Sequence, residues 1–288
     1  MCKTNEMNSK RVVYTVITND YDDLRQPLVI DERYDYICFC NDKPEGKEGI
    51  WEIKHFDIEF QDEMRASRRP KMKPHEVLPE YKYSLYIDAN VDIRNRLIYD
   101  AIDSMIERGV KVGHVDHIWR QCLYSEIHFC LWMGFDKGID LLRTYWNVLK
   151  HHFPYNAGLF ENNIIFREHN DCQLVNAGIM WWNLYKKYTK RDQCHLMYVY
   201  WLLGIRPELL SPQYTNSRNS SHISVLEHKP GKDKKHDHNR MDYMWFKFRN
   251  SLWVRIIKLS GLQLKTADKY EGRILLHNGY NGPDESLY

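Results

Sequence analysis

The chain has 288 residues, of which 43% are hydrophobic and 28% are charged, and its formal net charge is +2. These values exclude a disordered chain and give no general case for nucleic-acid binding. No run of ~20 apolar residues is present, so the sequence predicts no membrane-spanning helix. The polar N-terminus lacks the apolar core of a signal peptide, and the seven cysteines include no C-x-x-C pair. We therefore expect a cytoplasmic protein with reduced thiols.

Strand and helix patterns alternate along most of the chain. They predict strands over 12–17, 36–40 and 51–54, a basic helix or helix-loop over 63–73, and a strand that ends at Asp88. A helix over 97–108 stopping at Gly109, a strand over 110–115, and helices over 138–151 and 191–203 follow. This alternation predicts an α/β fold with a mostly parallel sheet flanked by helices on both faces.

Oxygen-bearing side chains follow the strand that ends at Asp88. Asn90 and Asp92 come next at spacings of two residues, at the carboxyl edge of the sheet, where open α/β folds bind ligands. Such oxygens suit Mg²⁺ or Mn²⁺, which nucleotide enzymes share with substrate phosphates. The segment therefore indicates an enzyme that handles a nucleoside diphosphate. The alternative is a strand followed by an Asx turn with no ligand.

Seven short segments, in order, resemble GT-A-fold glycosyltransferases. They are VYTVITNDYDDL (13–24), DYICF (35–39), RASRRPKMKPH (65–75), YIDAN (86–90), HIWRQCLYSE (117–126), WW (181–182) and RDQ (191–193). The resemblance is closest to the family of plant mucilage-related (TOD/MUCI-like) proteins and bacterial polysaccharide-locus enzymes. It implies a GT-A-like catalytic domain over residues 1–210. Residues 211–288 are then a helical C-terminal extension packed on the same domain.

The resemblance also implies a donor site at the ends of the first strands. The residues expected to hold the nucleoside and the diphosphate of a UDP- or GDP-linked sugar are Thr15, Thr18, Tyr21, Asp42, Arg68 and Lys71. Two alternatives remain, because Asp42 also suits a turn before Pro44 and a basic cluster is usually a solvated charge run.

A divalent-cation site is implied beside the donor. Asp88 and Asn90 correspond to the metal motif, and His277 is a candidate third ligand for Mn²⁺ or Mg²⁺. Asn90 stands where many relatives have aspartate, so its amide either ligates weakly or binds a ribose hydroxyl or a metal-bound water. His277 equally suits a turn before Asn278 and Gly279.

The acceptor side is expected to follow the strand over 110–115. The residues proposed to bind the sugar or the acceptor are His117, Arg120, Glu126, Trp181, Trp182 and Arg191. Asp192 is the candidate general base if the enzyme inverts configuration at the anomeric carbon; a retaining enzyme would not need it. The competing explanations are an Arg–Glu ion pair, core packing of the tryptophans, and helix capping by Asp192.

The C-terminal extension adds two features. The basic, His-rich segment 228–238 suits a loop that folds over the diphosphate. Segment 243–259 mixes aromatic and basic residues, as in a helix that lies on an anionic membrane or packs on the catalytic domain. Membrane contact would place the protein on the inner face of the membrane and favour a lipid-linked acceptor.

These features predict a metal-dependent glycosyltransferase that moves a sugar from a nucleotide donor to a glycan or lipid-linked acceptor, in surface polysaccharide synthesis. One alternative is a sugar nucleotidyltransferase, against which the glycine-free segment 18–23 counts. Another is a non-catalytic glycan- or partner-binding domain on a degenerate transferase fold.

Overall fold

The computed structural model describes residues 10–57, 63–117, 120–211 and 221–229, together with the single positions 248, 252 and 255. Contacts divide the chain into two compact units. Among the described residues, the first unit consists of 10–57, 63–115, 162–179, 207–211 and 221–229, and the second mainly of 116–117, 120–161 and 180–206.

A mostly parallel eight-stranded sheet, in the order β3-β4-β2-β1-β5-β8-β7-β9, organises the first unit. Its strands are β1 (Arg11–Val16), β2 (Tyr34–Phe39), β3 (Gly46–Glu48), β4 (Trp51–Lys54), β5 (Tyr83–Ile87), β7 (Val112–Asp116), β8 (Phe160–Arg167) and β9 (Glu208–Leu209). Strand β1 pairs in parallel with β2 and β5, whereas β5 with β8 and β3 with β4 are antiparallel. A separate two-stranded sheet pairs β6 (Val91–Ile93) with β10 (Ile223–Val225).

The helices occupy the segments between these strands. They are α1 (Glu63–Ala66), α2 (Arg68–Met72), α3 (Pro74–Val77), α4 (Leu97–Glu107), α5 (Leu123–Met133), α6 (Gly138–Lys150), α7 (Cys172–Lys187) and α8 (Leu196–Leu202), with a 3₁₀ turn at Asp192–Cys194. Helix α4 ends as predicted before Gly109, whose φ of 72° suits a left-handed cap.

Both faces of the central strands are covered. All five residues of β5 are buried, as expected for a parallel strand between two layers of helices. On one face, Leu85 and Ile87 pack in the same hydrophobic core as Ile102 of α4. On the other face, Tyr86 meets Lys71 of α2, whose ammonium nitrogen lies 4.8 Å from the ring centroid. The α/β prediction with a mostly parallel sheet is therefore confirmed.

The helix or helix-loop predicted over 63–73 takes the form of two short helices. They are α1 and α2, which break at Ser67. Pro70 and Pro74 explain the short lengths, because proline lacks the N–H that a longer helix needs. Arg65 and Arg68 therefore lie in different helices.

The predicted C-terminal extension lies mostly outside the described residues. The loop over 228–238 is described only at His228 and Lys229, and His277 lies outside. Positions 248, 252 and 255 are helical and exposed. Among the residues that the structure describes, no helix is long and apolar enough to cross a bilayer. The domain boundary near residue 210 stays a prediction.

Candidate functional site

Asp88 lies directly beyond the carboxyl end of β5, in the first unit. Its backbone N–H donates to the carbonyl of Asn163 at 2.8 Å, and its own carbonyl accepts from Val91 N–H at 2.9 Å. These bonds hold the turn between β5 and β6. The turn presents the Asp88 side chain at the edge of the sheet, where it is 31% exposed.

Two buried side chains hold the Asp88 carboxylate. The Tyr86 hydroxyl donates to Asp88 Oδ1 at 2.5 Å, and the Lys71 ammonium lies 3.4 Å from the same oxygen. Lys71 is only 1% exposed, which is rare for lysine unless its charge is paired. The sequence predicts that Lys71 touches the diphosphate. Its burial instead favours a role in positioning and neutralising Asp88.

Helix α2 is fixed by a second buried network beneath Lys71. Arg167 of β8 donates to the Tyr14 hydroxyl at 2.6 Å and to the backbone carbonyl of Lys71 at 2.8 Å. The Tyr14 hydroxyl in turn donates to the Pro70 carbonyl at 3.3 Å. Burial raises the pKa of Tyr14 to about 12 although Arg167 opposes the shift, so this hydroxyl stays protonated and remains a donor. The position of Lys71 is therefore set by backbone as well as side-chain contacts.

Asn90 follows Asp88 and is also oriented by the chain. Its Nδ2 donates to the Leu226 carbonyl at 3.0 Å, and only 8% of the residue is exposed. This bond leaves the amide oxygen as the acceptor atom that Asn90 presents. Asp88 and Asn90 thus supply oriented oxygens of the kind that Mg²⁺ and Mn²⁺ prefer. They fit a divalent ion that takes its other ligands from substrate phosphates and water.

The rest of the predicted metal site is less complete. Among the described residues, no group of three or more His, Cys, Asp or Glu side chains is arranged to hold a metal. Asp92 lines a cavity with Ile87, and a role for it as a further ligand stays a prediction. His277 lies outside the described residues.

The cavity that Asp92 lines opens beside β1 and β5. Its walls are formed by Val13, Thr15, Leu24, Arg25, Pro27, Tyr36, Trp51, Ile87, Ala89, Val91, Asp92, Ile93 and Tyr99. The Thr15 hydroxyl is buried and has no hydrogen-bond partner among the described residues. Burial raises the pKa of Asp92, with Arg25 opposing the shift. An apolar cavity with a few converging polar groups is the usual form of a small-molecule site.

The loop after β1, predicted to hold the nucleoside, is tied to the segment after β10. His228 Nδ1 lies 2.9 Å and 3.0 Å from the two carboxylate oxygens of Asp22. Its ring centroid lies 4.8 Å from that of Tyr21. Asp42, from the end of β2, accepts from the Asp20 backbone N–H at 3.2 Å. The structure thus groups Tyr21 and Asp42 in one loop network, and the role of Asp42 stays a prediction.

The predicted acceptor-side residues form a charged cluster in the second unit. Glu126, in the first turn of α5, is 2% exposed and contacts the Arg120 guanidinium. His117 Nε2 lies 3.7 Å from the same carboxylate oxygen. Burial opposes ionisation of Glu126, but the charges of His117, Arg120 and Arg191 outweigh it and lower the pKa of the carboxyl group. Three residues proposed from the sequence are therefore brought together around the buried carboxylate of a fourth, Glu126.

Asp192 begins the 3₁₀ turn that precedes α8, also in the second unit. Its Oδ1 accepts from the Gln193 N–H at 3.1 Å. Arg191 holds the N-cap position of this turn, and the role of Asp192 as a base stays a prediction. Trp181 and Trp182 are 1% and 2% exposed, and Trp181 donates to the Asp192 carbonyl at 3.1 Å. Both tryptophans are core residues in this structure, which agrees with the packing alternative and leaves neither ring as an open platform.

Three contributors to the site were not assigned from the sequence. Tyr86 carries an obvious signal, because it lies two residues before Asp88 and alternation puts both side chains on one face. Arg167 lies in a strand that the sequence did not indicate, and His228 was placed only in a basic loop. Their partners are distant in sequence, so no local pattern could have identified them.

Comparison with known proteins gives a family match. The model of the TOD1/MUCI70 glycosyltransferase-like domain matches residues 2–228, which confirms the resemblance seen in the short segments. A search of curated proteins gave no match.

Several solved glycosyltransferase structures show weak similarity. The bifunctional WbbM matches with 13% identity and a TM-score of 0.42 over 68% of this chain, which spans 38% of the WbbM chain. GlyE of Streptococcus pneumoniae matches with 11% identity and a TM-score of 0.44, covering 91% of this chain and 66% of GlyE. The galactosyltransferase LgtC matches with 11% identity and a TM-score of 0.41, covering 91% of this chain and 99% of LgtC. These scores are too low to support an argument about function.

Proposed function

The chain belongs to the TOD1/MUCI70 glycosyltransferase-like domain family and is therefore a glycosyltransferase, and we propose that it uses a nucleotide-diphosphate sugar as its donor. The observation that carries this proposal is the oriented carboxylate of Asp88 at the carboxyl end of β5. In the same unit, the same end of the central sheet carries a cavity lined by Thr15, whose hydroxyl has no partner within the described part of the chain. The charged groups around Asp88 suit a diphosphate, and the largely apolar cavity suits a nucleoside.

The donor is assigned to named groups of the first unit. The cavity beside Thr15 takes the nucleoside of a UDP- or GDP-linked sugar, with the loop that contains Thr18 and Tyr21 at its side. Arg68, half-buried at the start of α2, is the candidate guanidinium for the diphosphate, because its planar donors suit phosphate oxygens.

Asp88 and Asn90 are the candidate ligands for Mn²⁺ or Mg²⁺, and His277 stays a predicted third ligand. A bound divalent ion offsets the negative charge that the departing nucleoside diphosphate gains. The residues that orient the two candidate ligands are Tyr86 and Lys71 for Asp88 and the Leu226 carbonyl for Asn90.

The acceptor is assigned to the second unit. The cluster of His117, Arg120 and Arg191 around Glu126 supplies hydrogen-bond donors for a sugar hydroxyl. Asp192 is the candidate base that takes the proton of the acceptor hydroxyl, if configuration is inverted. The remainder of the proposal concerns the biological setting. The acceptor is a glycan or is lipid-linked, and the reaction belongs to surface polysaccharide synthesis. The protein is cytoplasmic, with peripheral membrane contact through 243–259.

A thermal-shift screen tests the donor assignment. Nucleoside diphosphates and nucleotide sugars are each added with Mn²⁺ and with EDTA. A ligand at a hundredfold excess over its dissociation constant stabilises the folded protein by about 2.7 kcal/mol. We expect one base to give a shift that depends on Mn²⁺ and is lost in Asp88→Ala. Asp100→Ala, which removes an exposed carboxylate of α4, is the matched control.

The outcomes separate the proposal from its rivals. A shift that survives Asp88→Ala would remove Asp88 from the donor site. No shift with any nucleotide, in a folded sample, would favour a non-catalytic binding domain. Formation of pyrophosphate from a nucleoside triphosphate and a sugar phosphate would favour the nucleotidyltransferase alternative.

A further inference from the structure

A buried positive charge lies beside the carboxylate proposed to bind metal. Lys71 is 1% exposed, and its ammonium nitrogen lies 3.4 Å from Asp88 Oδ1 and 4.8 Å from the centroid of the Tyr86 ring. The ammonium therefore faces one carboxylate and the negative face of one aromatic ring, which also favours a cation. Because it is nearly excluded from water, its field at Asp88 is weakly screened.

The lysine cannot easily leave this position. Its backbone carbonyl accepts from Arg167 at 2.8 Å, and the preceding Pro70 carbonyl accepts from the Tyr14 hydroxyl. On the following residue, the Met72 carbonyl lies so close to Gly178 that a Cβ there would be 2.4 Å away. Helix α2 is thus held on both sides of Lys71, and the charge is a fixed part of the site.

A divalent ion on Asp88 would have to share that carboxylate with the Lys71 ammonium. Two cations on one carboxylate repel each other, and the repulsion is larger where water is excluded. A diphosphate changes this balance, because its negative charge compensates both cations at once. A site with this arrangement favours the ion and the diphosphate together over the ion alone.

We propose that Lys71 is a positioning residue that keeps the metal affinity of the donor-free protein low, so that the ion is taken up together with the nucleoside diphosphate. This inference rests on the proposed donor site at Asp88 and concerns how that site is loaded. It assigns to Lys71 an electrostatic coupling between the metal and the donor. The coupling is reciprocal, so the diphosphate also binds more tightly when the ion is present.

The test is a titration of free Mn²⁺, followed by its electron paramagnetic resonance signal, on the full chain and on Lys71→Met. The titration is run alone and with the nucleoside diphosphate that gives the largest thermal shift. In the unmodified protein we expect the diphosphate to tighten Mn²⁺ binding by about tenfold or more. In Lys71→Met we expect Mn²⁺ alone to bind about tenfold more tightly than in the unmodified protein. The gain caused by the diphosphate should shrink correspondingly.

Matched variants separate charge from geometry. Tyr86→Phe removes the hydroxyl that donates to Asp88 and keeps the lysine, so it should not tighten Mn²⁺ binding. Lys111→Met removes a half-exposed lysine of the same unit that pairs with Asp171, and it should leave Mn²⁺ binding unchanged. Folding of each variant is checked by circular dichroism. If Lys71→Met does not fold, Lys71→Gln, which keeps a polar head beside Asp88, replaces it in the same titration.

Two results would overturn the inference. One is that, without diphosphate, the Lys71 variant binds Mn²⁺ no more tightly than the unmodified protein does. The other is equal tightening in Tyr86→Phe or Lys111→Met. Failure of the donor assignment looks different, because then no nucleoside diphosphate changes thermal stability in any variant, and none lowers free Mn²⁺ by more than it does in protein-free buffer.

Discussion

Gly178 is the position at which a single methyl group should disturb both the fold and the candidate site. It lies in α7, and a Cβ added there would be 2.4 Å from the backbone carbonyl oxygen of Met72 and 3.9 Å from the His75 ring. Carbon–oxygen contacts of that kind are essentially never below 3.0 Å, so the two backbones must separate by about 0.6 Å. Met72 follows Lys71 directly, so the displacement should reach the ammonium beside Asp88.

The net effect of Gly178→Ala combines two opposite contributions. Replacing a glycine inside a helix by alanine stabilises the helix by about 0.5–1 kcal/mol. Overpacking a rigid contact costs about 1–3 kcal/mol. Because the obstructing atom is backbone rather than the end of a flexible side chain, we expect the clash to dominate. The expected result is a loss of roughly 1–2 kcal/mol in the free energy of unfolding, measured by urea denaturation.

A control on the same helix isolates the clash. Asn176 is exposed in α7, so Asn176→Ala changes helix propensity without adding a buried contact and should be slightly stabilising. Titration of Mn²⁺ with a nucleoside diphosphate should be altered in Gly178→Ala and unaltered in Asn176→Ala. If Gly178→Ala is as stable as the unmodified protein and binds identically, the Met72 contact does not set the position of α2.

Three further results are expected. His228→Ala removes both contacts to Asp22 and should weaken nucleotide binding severalfold in a calorimetric titration while the midpoint of thermal unfolding falls little. Unchanged affinity would separate His228 from the donor loop. Glu126→Gln leaves the surrounding cations without their buried counter-charge and should destabilise the protein by about 3–5 kcal/mol in urea; a loss below that range would mean that water reaches the cluster. Burial lowers the pKa of both His169 and His195 to about 4, so both are neutral in the folded protein. Above about pH 6.5 the unfolded chain also keeps both histidines neutral, so they cost no stability. As the pH falls towards 4, the free energy of unfolding should drop by up to about 3 kcal/mol for each histidine. A constant free energy of unfolding over that interval would contradict this prediction.

Much of the sheet could be predicted because its strands carry strong local signals. The segment 51–54 was predicted with the bounds that the structure shows, and α4 stops where Gly109 permits a left-handed residue. Strand β8 was missed because Glu161, Asn162 and Asn163 make it look polar. Two of these residues are nevertheless buried, and such burial is decided by the neighbouring strand rather than by the segment itself.

The sequence predicted only part of the arrangement around Asp88, for a similar reason. The spacing of Asp88 and Asn90 at the end of an apolar strand is a local feature, and the structure places both residues just beyond the carboxyl end of β5. The burial of Lys71 is a tertiary feature, since lysine in a basic segment is normally solvated. The contacts from Arg167 and Tyr14 show that α2 packs against the sheet. The charge of Lys71, which the sequence predicted to contact the diphosphate, is therefore held in place beside Asp88.

The alternation of β5 separates the two halves of the proposed donor site. Tyr86 and Asp88 face Lys71, whereas Ile87 and Asp92 line the cavity that contains the unpaired Thr15 hydroxyl. Thr15→Val keeps the shape of this side chain and removes only the hydroxyl. A buried hydroxyl without a partner carries a desolvation cost of about 1–3 kcal/mol, so the variant should be at least as stable as the unmodified protein. If the hydroxyl exists to bind the nucleoside, the same change should weaken nucleotide binding severalfold, while Mn²⁺ binding in the absence of nucleotide stays the same. Loss of stability together with unchanged nucleotide affinity would mean that Thr15 serves the core and that the cavity is not the nucleoside site.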